Sequence, residues 1–256
     1  MTPTAKGLDM HWQADSVKAV IFTAPYGPHR DASELWVDAF PGDSPDGYQR
    51  NPSAPNLQSS ASGERHGFVI NIAAQIGQIA VTANPVFRQV PGLMTGAVTP
   101  PRIVEVAQAI HIVVDAMKRL VTFSQATRIA VALELAKTVP STVTSEMFAE
   151  ELPGVPFPRG SIEPSFQFNS QTPLANAPHI TINRVCVWSS AQVGFFGGNV
   201  PGAQNAPLTM TNYIGFNIDV NSHPSQNLFG INVAESFDSL RVEALGIAKN
   251  RIRHFE

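Results

Sequence analysis

The sequence predicts an α+β fold made of two β-β-β-β-α-like halves, whose antiparallel strands form one or two sheets covered by two long amphipathic helices. The first observation behind this prediction is a pattern that occurs twice along the chain. It consists of several short apolar runs followed by one long segment with helical periodicity. The second is a nearly perfect alternation of apolar and polar residues over 208–220, typical of a strand with one wet face. The halves are predicted to span 1–124 and 125–256 and to form one compact unit. A chain of 256 residues that is 43% hydrophobic can fill a sizeable core.

The first half begins with runs rich in β-branched and aromatic residues. These predict strands at 16–24, 34–40, 66–73 and 77–84. The last two are close enough to form a hairpin, in which Phe68, Ile70 and Ile72 share one face. The intervening segment 41–65 is dominated by Pro, Gly, Ser, Asn and Asp, and we expect a long flexible loop there.

The helix that ends the first half has a clear start and a clear apolar face. Thr99 followed by two prolines is typical of a helix N-terminus, because Thr accepts hydrogen bonds from free N–H groups and Pro suits the first turn. From Ile103 to Val121, apolar residues recur at three- and four-residue steps. Lys118 and Arg119 lie where the negative end of the helix dipole favours cations.

The second half repeats this order with a longer connection. Its predicted strands are at 126–137, 165–170, 179–188 and 208–220. A short helix is predicted around Ser145–Glu151, and a second long polar loop at 189–207. Asn232, with Glu235 three residues later, has the spacing of a capping box at the start of the last helix.

Charge and cysteine content exclude several classes of protein. Only 14% of the residues are charged, against about 25% in an average soluble domain, and the net charge is −3. No segment supplies the concentrated positive charge that a phosphate backbone requires, so no nucleic-acid partner is expected. One cysteine forms no internal disulfide, and no apolar run reaches the ~18–20 residues of a membrane span. We therefore expect a cytoplasmic protein with no membrane partner.

The glycine-rich segment after the strand at 179–188 contains two adjacent aromatic residues. Phe195 and Phe196 lie in the predicted loop, where exposed aromatic side chains are typical of protein contacts. No helix start follows directly, as a phosphate-binding loop would need. We predict that Phe195 and Phe196 are contact residues.

Four polar residues are the further candidates for a binding site. Asp219 and His223 end the alternating strand with the spacing of potential ligands, but the Gly and the distal acid of a calcium loop are missing. His111 and Asp115 are one helical turn apart, a spacing that suits either a surface contact or an oriented general base. No pair of histidines has zinc-binding spacing, so we expect no metal, no cofactor and no identifiable catalytic residue. Cys186 lies in an apolar strand and is predicted to belong to the core.

From residue 126 onward, short motifs occur in a recognisable order: Thr127-Arg128-Ile129-Ala130, Pro140, Leu152-Pro153-Gly154-Val155-Pro156, Ile218-Asp219-Val220, Lys249-Asn250 and Phe255. In this order the chain resembles a sporadically distributed bacterial family of conserved proteins that have no assigned activity. The resemblance implies an architecture and no particular chemistry.

Three functional hypotheses follow from these observations. The first is a non-enzymatic binding or assembly protein that acts through exposed loops and self-association, with a protein partner or a second copy of itself. The second is an enzyme or small-molecule receptor with a pocket between the helices and the sheet. The third is a virion or secreted structural protein, because sequences poor in Lys and rich in Asn, Pro and Gly also suit assembled shells, in bacteria or phage.

Overall fold

The computed structural model describes residues 12–24, 30–51, 57–87, 100–121, 126–195 and 209–255. Its strands are β1 (Gln13–Thr23), β2 (Gly47–Arg50), β3 (Leu57–Arg65), β4 (Phe68–Gln75), β5 (Gln78–Pro85), β6 (Ala126–Val139), β7 (Ser165–Leu174), β8 (Ala177–Phe195) and β9 (Thr209–Ser222). Its helices are α1 (Ala32–Ala39), α2 (Val106–Val121), α3 (Ser145–Glu151) and α4 (Val233–Asn250), and a 3-10 turn (Arg251–Phe255) follows α4. The described strands form one antiparallel sheet of nine strands, in the order β2-β3-β4-β5-β1-β6-β9-β8-β7.

The predicted fold class is wrong. That prediction had two β-β-β-β-α-like halves covered by two long amphipathic helices. Of the described residues, 48% lie in strands and 27% are helical, and the helical part is divided among four helices of at most 18 residues. A sheet of nine strands is about 38 Å wide, whereas a helix with its side chains is about 10 Å across. Two helices therefore do not cover this sheet, and the molecule is mostly sheet.

The order of the elements also differs from the predicted one. A helix comes directly after the first strand of each half, α1 after β1 and α3 after β6. Strands β1 and β6 pair with each other, with Val20 opposite Ala130, in an antiparallel arrangement. This pairing joins the strands from both parts of the chain into a single continuous sheet.

The predicted strand at 34–40 is instead the helix α1. The Asp31 carboxylate accepts a hydrogen bond from the Ser33 backbone N–H at 2.9 Å and caps the helix. Leu35, Trp36 and Ala39 are buried, which is the spacing of one helical face. The β-branched and aromatic residues that indicated a strand lie on a helix because this cap and this spacing are stronger local signals.

The predicted flexible loop at 41–65 contains the strands β2 and β3. Small residues of β3 face the core, and a Cβ atom at Gly63 would lie 3.0 Å from the Trp36 ring. The Ser59 hydroxyl accepts a hydrogen bond from the Ala32 N–H at 2.9 Å, which ties β3 to the start of α1. Since β3 must pass closely under α1, it carries small and polar residues, and its sequence has no hydrophobic alternation.

Several other elements are confirmed. Strands β4 and β5 form the predicted hairpin, α3 spans Ser145–Glu151, and the Asn232 side chain caps α4 by accepting from the Glu235 N–H at 3.2 Å. Helix α2 begins at Val106, a few residues after the two prolines that predicted its start. The delay arises because Ile103 still pairs with β1 through two backbone hydrogen bonds to Ala14.

The core lies on one face of the sheet. Helices α1, α2 and α4 all contact this face, where alternate residues of β9 such as Phe216 and Ile218 are buried. Trp188 of β8 stacks on Phe216 with 4.1 Å between the ring centroids. On the opposite face many side chains are small or polar, as at Asn217, but Val20, Ala80 and Ala130 form a small apolar cluster with Phe22 there, to which no described helix contributes. None of the described helices combines the length and hydropathy that a membrane crossing requires.

Candidate functional site: the outer surfaces of the sheet and helices

His111 and Asp115 lie on the solvent side of α2, where it runs beside α4. Nε2 of His111 is 3.2 Å from the Asp115 carboxylate, and Nδ1 accepts from the Arg241 guanidinium at 2.9 Å. Arg241 also pairs with Asp238 at 3.2 Å. Because both imidazole nitrogens are engaged by protein groups, this pair serves as a surface connection between α2 and α4.

Asp219 and His223 lie at separate points along and beyond β9. Asp219 is on the sheet face opposite the helices, between Ala132 and Val185, and its Oδ1 is buried with no hydrogen-bond partner among the described residues. His223 follows the end of β9, where its Nδ1 accepts from the Ser225 hydroxyl at 2.7 Å. Four residues of extended chain span about 13 Å, so these two side chains do not share a ligand.

The structure therefore does not bring the four polar candidates together. His111 and Asp115 contact each other on the helical layer, and Asp219 lies on the other side of the sheet. Among the residues that the structure describes, no group of three or more His, Cys, Asp and Glu side chains is arranged to hold a metal ion.

Phe195 and Phe196 occupy the end of a strand and the segment after it. The predicted polar loop at 189–207 is wrong at its start, because β8 continues to Phe195, whose backbone pairs with Thr209. The Phe195 side chain and all of Phe196 lie outside the described residues.

The ends of β8 and β9 extend past their neighbours. Pairing of β7 with β8 stops at Ser189, and pairing of β6 with β9 stops at Asn212. Beyond those points, Val193–Phe195 and Thr209–Thr211 pair only with each other among the described residues. We call this part the β8–β9 ribbon, and its Met210 side chain is 44% exposed.

A small cavity lies at the base of the β8–β9 ribbon. Its volume is about 150 Å³, and it is lined by Thr142, Val143, Glu163, Ser190, Ala191, Gln192 and Asn212. Glu163 has a left-handed backbone with φ 51°, two residues before β7 begins. Pockets for small ligands usually have about 300–1,000 Å³, so this cavity is too small for most of them.

The outer edge of the sheet next to the ribbon is β7. Its ten residues carry no charge, and among the described strands it pairs only with β8. On the face away from the helices, the Gln171 amide donates to Asn183 at 3.0 Å, and Asn183 donates to Asn221 at 3.2 Å. The edge is thus continuous with a network of side-chain amides.

Cys186 has the predicted core position. It is fully buried on β8, and burial raises the pKa of its thiol to about 12. A thiol in this position stays protonated at neutral pH and acts as a small apolar side chain.

Two partly buried ionic clusters had no signal in the sequence. In one, Glu243 of α4 accepts from Arg184 at 3.1 Å and is 2.9 Å from His254. In the other, Glu151 of α3 accepts from Lys137 at 2.7 Å and is 3.5 Å from Arg251. The Arg184–Glu243 and Glu151–Arg251 pairs join elements that are far apart in the sequence, so local spacing does not predict them.

Comparison of the chain with protein-family models, with curated proteins and with solved structures finds no match. The resemblance to a sporadically distributed bacterial family stays a prediction.

Proposed function

We propose that this protein is a non-enzymatic binding or assembly protein that acts through exposed segments and self-association. The observation that carries the proposal is the β8–β9 ribbon, a two-stranded extension at the margin of a large sheet. Two-stranded hairpins are marginally stable alone in water, and they gain stability when a third strand or another surface packs on them. A partner would supply that packing.

The exposed groups of the ribbon suit a protein partner. The backbone N–H and C=O groups on its two outer sides have no partner strand among the described residues, and another chain can satisfy them by adding a strand. Met210 adds an exposed, flexible apolar side chain of the kind that adapts to varied surfaces. The predicted contact residues Phe195 and Phe196 lie at and beyond the end of β8.

The low charge of the chain favours contacts between like copies. With 14% charged residues and a net charge of −3, two copies approach without strong electrostatic repulsion. Interfaces that depend on backbone and amide hydrogen bonds need no complementary charges.

Sedimentation equilibrium from micromolar to millimolar protein tests the proposal. The variant replaces residues 194–210 by Asn-Gly, which keeps Val193 opposite Thr211 in a two-residue hairpin. We expect the wild-type protein to self-associate and the shortened variant to have a changed affinity or a changed stoichiometry. Circular dichroism serves as the control for folding. A wild-type protein that stays monomeric throughout would contradict the proposal.

A further inference from the structure

Strand β7 forms the longer of the two edges of the sheet among the described strands. It spans Ser165–Leu174, and its outer backbone groups have no partner strand among the described residues. Natural sheets usually protect such edges with short strands, lysines or inward-pointing charges. The other edge, β2, follows that rule, since it has four residues and ends at Arg50. Strand β7 has ten residues and no charged side chain.

We propose that β7 pairs in antiparallel fashion with β7 of a second copy, across a twofold axis beside Asn169, so that Asn169 of one copy lies opposite Asn169 of the other. This inference rests on the proposed function, because it names an interface for the self-association in addition to the β8–β9 ribbon. The two sheets of nine strands then join into one continuous sheet. A twofold contact uses the same surface on both copies, so it closes after two molecules and does not form a fibre.

The side chains of β7 are complementary to themselves. Gln167, Asn169 and Gln171 are exposed on the face away from the helices. An amide group both donates and accepts hydrogen bonds, so the same residue on two copies can pair with itself or its neighbour. No pair of like charges meets anywhere along this strand.

The other face of β7 supplies apolar contacts. Phe166 and Phe168 are half-buried, with 5.9 Å between their ring centroids, and Phe168 also contacts Phe255 at 4.7 Å. Aromatic pairs across antiparallel strands stabilise a sheet. The second copy would cover the part of these rings that one molecule leaves exposed.

The number of available hydrogen bonds fits a specific dimer. With Asn169 at the axis, residues 165–173 of the two copies face each other, and an antiparallel pair of that length makes about nine interstrand hydrogen bonds, within the range found in protein interfaces. Pro173 has no N–H, and it lies near the end of the strand, where the loss affects pairing least.

The experiment compares three full-length proteins by sedimentation equilibrium. The first is the wild type. The second carries Gln167→Lys and Asn169→Lys, which place like charges opposite each other across the axis. The third carries Gln49→Lys on β2 as a matched control at the other edge. We expect the dimer dissociation constant to rise at least about tenfold in the double variant and to stay unchanged in the control.

A fourth variant, with Gln167→Glu and Asn169→Glu, provides a rescue that a purely structural effect would not produce. Mixing it with the double lysine variant should restore dimers as mixed pairs, because opposite charges then meet across the axis. Circular dichroism shows whether each variant is folded.

Each outcome decides one of the two proposals. Mixed dimers support pairing at β7. If the double lysine variant dimerises as strongly as the wild type, pairing at β7 is wrong, whereas the proposed function stands. The same conclusion follows if the lysine variant weakens the dimer and the mixture fails to restore it. A wild-type protein that is monomeric at all concentrations overturns both.

Discussion

Glu151 is an acidic side chain at the end of α3 that is only 6% exposed. Its carboxylate accepts a hydrogen bond from Lys137 of β6 and lies near Arg251, which follows α4. The Arg251 guanidinium also lies over the Trp12 ring, 5.6 Å from its centroid. One buried acid therefore connects α3, the central part of the sheet and the C-terminal turn.

Replacing Glu151 by Gln should destabilise the protein by about 2 kcal/mol. The substitution keeps the size of the side chain but removes the buried negative charge that faces Lys137 and Arg251. The cost is below the ~3–5 kcal/mol of a fully buried pair, because Lys137 and Arg251 keep access to water. Urea denaturation at neutral pH measures it. The control is Glu150→Gln on the exposed side of α3. Equal stability of the two variants would contradict this role for Glu151.

Among the elements, the segment from α1 to β3 depends on one aspartate. Asp31 caps α1 and also accepts a hydrogen bond from the Tyr48 hydroxyl at 2.7 Å, which links the helix to β2. Burial alone would raise the pKa of Asp31, but the hydrogen bonds from Ser33 and Tyr48 outweigh it and lower the pKa below its usual value. The charged form of Asp31 is therefore favoured in the folded state.

Replacing Asp31 by Ala should lower the free energy of unfolding by about 1 kcal/mol at neutral pH. The contribution of Asp31 is present above the pKa of the unfolded state and is lost as the pH falls through the lowered pKa of the folded state. The difference between wild type and Asp31→Ala should accordingly shrink in acid. Denaturation at several pH values measures it, with Asp31→Asn as a control that retains a cap. A difference that is constant with pH would refute the role of the charge.

These elements also explain where prediction from sequence succeeded and where it failed. Strands β4 and β5 and helix α4 were predictable because large apolar residues mark their buried faces and Asn232 marks a cap. Strand β3 was not, since close packing of Gly63 under Trp36 requires small residues that give no hydrophobic signal. Helix α1 was missed because its short sequence is rich in residues that also favour strands.

At the scale of the whole molecule, the sheet topology decides which candidate residues meet. His111 and Asp115 lie one turn apart in sequence and do contact each other. Asp219 has a favourable position in the alternation of β9, but the topology places it on the face away from α2. Local spacing thus predicted a local contact, and it held no information about the distant strands that surround each residue.

The topology also leaves two parts of the sheet margin for partners. Helices α1, α2 and α4 contact one face of the sheet. The first and last strands in spatial order are β2 and β7, and of these only the shorter strand, β2, carries a charge. The β8–β9 ribbon lies beside the longer, uncharged edge. Under the proposed function, the contact surface of the protein lies along β7 and the ribbon.

Amide hydrogen exchange at low and high protein concentration tests this central claim most directly. If β7 is the dimer interface, exchange of its outward-facing amides should slow as the concentration rises, because new hydrogen bonds form there. The amides of β2 should exchange at the same rate at both concentrations. Exchange in β7 that does not depend on concentration, while the protein is seen to self-associate, would contradict the account.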